Sequence, residues 1–120
     1  MIGASFVADT NFLINVHEGN PITEPFLDLS PVVSVISEIE LLGWHKLSLT
    51  EKNELRSLLN DCFIMELTTE IKDIAIRLRQ KYIIKTPDSI IAATAKVLQL
   101  PLVTSDKDFK KISDISIIFI

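Results

Sequence analysis

The chain alternates short, continuous apolar runs with longer stretches whose apolar positions recur every three or four residues. The short runs predict buried strands and the longer stretches amphipathic helices. Ser5–Ala8 predicts the first strand, and "NFLINVHEG" a helix stopped by Gly19-Asn20-Pro21. A short helix is expected over Pro25–Leu29. "VVSVI" (Val32–Ile36) follows, β-branched and apolar as a central parallel strand should be. "SEIELLGWHKL" predicts a helix with Ser37 as its cap and Glu40 at capping-box spacing. "LTEKNELRSLLND" predicts another, capped by Thr50, before the strand "FIMEL". In "TTEIKDIAIRLRQKY" the residues Ile71, Ile74, Ala75 and Leu78 mark the inner face of a helix.

The stretch "KTPDSIIAATA" opens a helix that runs to about Gln99, with Thr86 as a possible cap and Pro87 at its first position. Asp88 in that first turn complements the helix dipole, and on this stretch alone nothing more is required of it. "PLVTS", "KDFKKI" and "ISIIFI" then predict a strand, a short helix and a last strand. Five apolar strands interleaved with helices indicate an α/β fold: a three-layer α/β/α sandwich around a central, mostly parallel five-stranded sheet. The 120 residues suit one domain spanning 1–120.

Composition narrows the function. A hydrophobic share of 48% is rich for this length, which suits a doubly covered sheet and an apolar surface used for association. The formal charge of −4 excludes a protein that coats nucleic acid by charge alone, yet leaves room for acids gathered in one site with a basic rim. Lys and Arg do gather, in "RLRQKYIIK" (Arg77 to Lys85) and at Lys107, Lys110 and Lys111. Runs of this kind usually form a solvated helix face. Cys62 has no second cysteine to pair with and reads as a small buried hydrophobe. No basic leader precedes an apolar run at the start, and no apolar stretch approaches the ~20 residues of a membrane span. A soluble, cytoplasmic protein without membrane attachment is therefore expected.

In parallel sheets ligands bind outside the carboxyl ends of the strands. The acids fall there. Asp9 ends the first strand in "VADTN", Asp106 ends "PLVTSD", and Asp108 follows two residues later. Asp88 starts its helix, and Glu40 lies one turn into the helix after "VVSVI", among Ile36, Gly43 and Trp44. Taken singly, each is an ordinary turn or helix-start residue. Gathered to ~5 Å, they repel by roughly 3 kcal/mol per pair at an effective dielectric of 20. Unaided they could not all stay ionised. A divalent cation resolves the conflict, and an all-oxygen ligand set favours Mg²⁺ or Mn²⁺ over zinc. Thr10, Asn11, Thr104 and Ser105 flank the acids and could orient waters or ligands.

His17 and His45 fall in helices away from these edges, so RNA cleavage through the 2′-hydroxyl lacks an acid and a base. A haloacid-dehalogenase-type phosphatase needs a second Asp where Asn11 stands. A phospho-acceptor receiver domain needs an acidic pair after the first strand and a Lys after the last, and both are missing.

In order and over the whole length, "ADTN", "SVISEIELLG", "PDSIIAATA" and "LVTSDKDF" resemble the PIN-domain ribonucleases, and among them the VapC-type toxins of bacterial toxin–antitoxin pairs. The resemblance assigns the family's acidic positions to Asp9, Glu40, Asp88 and Asp106, with Asp108 at a less essential one. Glu40 is preferred to Glu38 because the family places Leu directly after the acid, as in "ELLG". It implies a metal-dependent endoribonuclease acting on structured RNA such as tRNA or rRNA, with water attacking phosphorus to leave a 5′-phosphate and a 3′-hydroxyl. It also implies a homodimer, and a cognate antitoxin whose tail covers the active site. RNA contact is then expected from Arg77, Arg79, Lys81 and Lys85. A PIN fold retained only as a binding module is the alternative.

Overall fold

A computed structural model describes residues 4–120. Five strands form one all-parallel sheet in the order β3-β2-β1-β4-β5: β1 (Ala4–Ala8), β2 (Ser30–Ser34), β3 (Phe63–Met65), β4 (Leu102–Thr104) and β5 (Ile117–Phe119). Five helices connect them: α1 (Thr10–His17), α2 (Val35–Leu42), α3 (Leu49–Asn60), α4 (Thr69–Lys81) and α5 (Thr86–Leu98). The expected three-layer α/β/α fold is the one observed.

Strand alternation splits the core in two. Val7, Val32 and Leu102 point to one face, where they pack with Ile71, Ala75 and Leu78 of α4 and with Ile91, Ala92 and Ala95 of α5. Phe6, Ala8, Val33 and Val103 point to the other, against Phe12 and Leu13 of α1 and Leu55 and Leu59 of α3. The alanines of α5 let that helix lie close to the sheet. Among the described residues no helix is long and apolar enough to cross a membrane.

The chain leaves β1 toward β2 and leaves β4 toward β5, in opposite directions. Between β1 and β4 the strand order therefore reverses, which opens a crevice at their carboxyl ends. Ala8 pairs with Val103, so Asp9 and Thr104 emerge side by side at that crevice.

Several boundaries differ from expectation. The run Val32–Ile36 is not one strand: β2 ends at Ser34, whose hydroxyl accepts from Ile36 N and caps α2. Ser37 is thus no cap; it is a buried residue within the helix, and no box with Glu40 forms. Ser48, not Thr50, caps α3, in a reciprocal box with Glu51. Helix α5 begins at Thr86 with Lys85 as a cap that makes no side-chain bond, so Thr86 does not cap it and Pro87 takes its second position. The short helix expected over Pro25–Leu29 lies earlier, as a 3-10 helix over Pro21–Phe26 capped by Asn20. His45 sits in a turn rather than a helix, because Gly43 ends α2.

Candidate metal centre at the carboxyl edge of the sheet

Asp9 is the best-held acid of the crevice. As the N-cap of α1 its Oδ1 accepts from Phe12 N at 2.8 Å, and its Oδ2 accepts from the Thr104 hydroxyl. It is only 2% exposed, and burial raises its pKa. The bonds from Thr104 and Phe12 pull the other way, and the nearby Asp106 raises it further. The Thr104 oxygen also accepts from Asp106 N at 2.9 Å. One hydroxyl therefore ties the acid after β1 to the acid after β4.

Asp106 in turn caps the 3-10 helix Lys107–Lys111, its Oδ1 accepting from Asp108 N at 2.9 Å. This tight turn brings Asp108 back toward the crevice. Oxygens of Asp88, Asp106 and Asp108 all lie within 4.8 Å of one another. Asp88, half-buried in the first turn of α5, is pushed up to about 6. Burial is the largest cause; Asp106 and Glu40 add repulsion, Lys85 opposes it, and Asp9 adds a smaller push.

Glu40 reaches the same place from α2, but not as a buried charge. Its side chain is exposed, so it needs no burial partner, and its Oε1 lies 2.8 Å from Thr10 Oγ1. Thr10 Oγ1 is also 2.9 Å from the buried Ser37 Oγ. The single Thr10 proton best serves the carboxylate, leaving Ser37 to donate to Thr10. Asp9, Glu40, Asp88 and Asp106 line one depression of about 200 Å³, with Thr10, Asn11 and Lys85 at its walls. Glu38 is not part of its lining.

The other expected residues divide. Ser105 is exposed and bonds to none of the acids. Arg79 and Lys85 border a neighbouring cleft that shares Asp88 with the depression. Lys81 is held instead by Asp114 at 3.1 Å, away from the acids, and Arg77 is exposed on α4 without lining either space. Asp108, assigned a less essential position, lies in the closest acidic cluster, and Lys111, not named among the site residues, borders the cleft as well. The D-x-D spacing ahead of "FKK" was the available signal for both.

The donor set suits a hard divalent cation. Every acid offers oxygen, no His or Cys joins them, and Lys85 alone brings positive charge to the depression.

These features place the molecule among α/β proteins that carry an acidic centre at a strand-order reversal. The PIN-domain family matches residues 6–115, and the chain belongs to that family. A toxin–antitoxin complex from Klebsiella pneumoniae contains a similar chain, 30% identical with a TM-score of 0.82, covering 95% of this chain and 96% of that one. VapBC-1 from nontypeable Haemophilus influenzae is 25% identical with a TM-score of 0.76, covering 95% and 96%. DNA-bound VapBC from Salmonella typhimurium shares the fold at 22% identity and a TM-score of 0.83, covering 97% and 98%. No curated protein matches the sequence.

Proposed function

We propose that this chain, a single domain over residues 1–120, is a divalent-metal-dependent endoribonuclease and the toxin of a toxin–antitoxin pair. The observation that carries the reading is the trio Asp88, Asp106 and Asp108, whose oxygens all lie within 4.8 Å of one another; burial, and then repulsion from Asp106 and Glu40, push Asp88 up to about 6. Like charges held this close by capping and strand geometry indicate a missing counter-charge. Asp88, Asp106 and Asp108 would hold the cation, with Asp9 and Glu40 completing its surroundings. When bound, Mg²⁺ or Mn²⁺ supplies Lewis acidity toward a phosphate oxygen and toward water.

The chain's own residues do the rest. Thr104 and the α1 N-terminus fix Asp9 in one orientation, and Thr10 does the same for Glu40. Glu40, exposed at the wall of the depression, accepts a proton from the attacking water. Lys85 offers a positive charge to an entering phosphate. As water's oxygen bonds to phosphorus, the bond to the 3′-oxygen breaks and that oxygen takes a proton from solvent, leaving a 5′-phosphate and a 3′-hydroxyl. The Klebsiella pneumoniae neighbour comes from a toxin–antitoxin complex, which supports a cognate antitoxin here, and a cytoplasmic setting goes with that reading. An apolar groove of about 310 Å³ lined by Ile14, Trp44 and Leu47 adjoins Thr10 and Glu40 and suits an antitoxin segment reaching the site. Exposed Ile39, Leu49 and Ile76 leave apolar surface for a homodimer.

The test is cleavage of total cellular RNA by the purified chain with Mg²⁺, with Mn²⁺ and with chelator, beside Asp9→Asn. A discrete fragment with a 5′-phosphate, formed only with metal and with Asp9 intact, is expected. Wild-type cleavage by Asp9→Asn, or cleavage that survives chelation, would sink the assignment. A folded, metal-binding protein that cuts no RNA would favour the binding-module alternative.

A further inference from the structure

Beside the acidic depression lies a second cleft, of about 390 Å³, bordered by Arg79, Ile83, Ile84, Lys85, Asp108 and Lys111, with Asp88 shared between the two. Its cations come from three elements: α4, the α4–α5 connection, and the 3-10 helix after β4. Among the described residues none of the three forms a salt bridge, whereas Lys81 and Lys96 both pair with Asp114. Three unpaired cations facing one cleft that opens onto carboxylates have a charge pattern matched by a phosphodiester chain.

The wall of the cleft is anchored by hydrogen bonds on both sides of Ile83. Arg79 Nε donates to Ile84 O at 3.2 Å, and the Ile84 side chain is buried. Tyr82 donates its hydroxyl proton to Asp114 and accepts from Ser113 N at 3.3 Å. Between these anchors Ile83 is 92% exposed, the most exposed large apolar side chain among the described residues. A lone exposed isoleucine is unremarkable on a mobile surface. Here it is fixed from both sides at the lip of a cationic cleft.

We propose that this cleft binds the single-stranded RNA nucleotide next to the cleaved bond. Arg79, Lys85 and Lys111 hold its phosphate, and Ile83 packs against its unstacked base. Apolar side chains wedge between bases in other nucleic-acid complexes, and unpaired RNA bases are free to splay onto such a surface. The assignment rests on the nuclease reading above and adds Lys111 and Ile83 to the expected RNA contacts, while leaving out Arg77 and Lys81.

Two contact types predict two signatures. The experiment titrates a fluorescein-labelled 12-nucleotide single-stranded RNA into the full chain at several salt concentrations, and follows its cleavage separately. Lys111→Gln is expected to weaken binding about 5- to 10-fold, to flatten the salt slope by about 0.7, and to raise KM more than it lowers kcat. Ile83→Ser is expected to weaken binding by a similar factor with the salt slope unchanged. Lys81→Gln, whose partner is Asp114, should bind as wild type. If wild type cleaves RNA and both Lys111→Gln and Ile83→Ser bind it with wild-type affinity and slope, the cleft is wrong and the nuclease reading stands. If wild type neither binds nor cleaves RNA, the nuclease reading falls and the cleft falls with it. A changed salt slope for Ile83→Ser would overturn the base contact.

Discussion

Helix α5 reaches two clusters of charge, one near each end, and they are opposites. Near its start, Asp88 is pushed up to about 6, first by burial and then by repulsion from Asp106, Glu40 and Asp9, with only Lys85 opposing. Near its end, Lys96 approaches Asp114, which also takes Lys81 and the Tyr82 hydroxyl and is held below the usual carboxylate range. The Tyr82 bond is the largest cause of that lowering. Asp114 has its partners within the chain, so its network joins α4, α5 and the approach to β5. Asp88, in the first turn of α5, makes no hydrogen bond or ion pair of that kind among the described residues. A satisfied acid holds a fold together; an acid left among like charges is, under the proposed function, the one that a cation would satisfy.

The contrast can be broken in four ways. Under the proposed function, Asp88→Asn lowers RNA cleavage by at least about 100-fold, since metal-assisted charge stabilisation is worth several kcal/mol. Asp114→Ala leaves the rate per folded molecule unchanged; initial rates on one RNA decide both. Next, Mg²⁺ at about 100 times its Kd should stabilise wild type by roughly 2.7 kcal/mol. Thermal melts at pH 7.5 should show that rise in wild type and in Asp114→Ala, and little of it in Asp88→Asn. An equal rise in all three would place the metal elsewhere. Third, Asp114→Ala should cost about 1 kcal/mol once solvent screening is allowed for, a fall in Tm of roughly 4 °C, read without metal.

The smallest effect is one of sign. Because folding raises the pKa of Asp88, the stability its protonated form contributes is complete below about 4 and is lost as pH rises through about 6. Metal-free Asp88→Asn should therefore melt above wild type at pH 7.5, by a few degrees, and together with it at pH 4. Asp114, whose pKa folding lowers, behaves inversely: its contribution is present above the usual carboxylate range and lost on acidification. Melts of both variants from pH 4 to 7.5 should diverge from wild type in opposite directions. Parallel shifts would show that the two clusters are alike.

Fold class was legible because apolar periodicity survives in every element. Boundaries were less so where an apolar run hides a change of period. Val35 and Ile36 continue the β-branched run of β2, yet they belong to α2, because the Ser34 hydroxyl captures Ile36 N and turns the chain. The acids at strand ends could be read off the topology alone. That Glu40 lines the depression, exposed and held by Thr10 30 residues away, was not legible in spacing alone. The part played by Asp108 depends on a 3-10 turn that folds it back toward Asp88, a distance no spacing rule supplies. The basic run divides in the fold. On α4, Arg79 faces the cleft while Lys81, two residues on, faces Asp114, and the matching cation, Lys111, comes from a different segment.

The bond between Thr104 and Asp9 spans 95 residues of chain. At roughly 5–20 residues per second, a ribosome adds Thr104 about 5–20 s after Asp9. Throughout that interval β1 has no neighbour on its β4 side, and the nascent chain carries Asp9, then Glu40, then Asp88, without the strand that aligns them. Under the proposed function the acidic centre has no working half-built form, and a growing chain would stay chemically silent toward the messenger and ribosome that are making it.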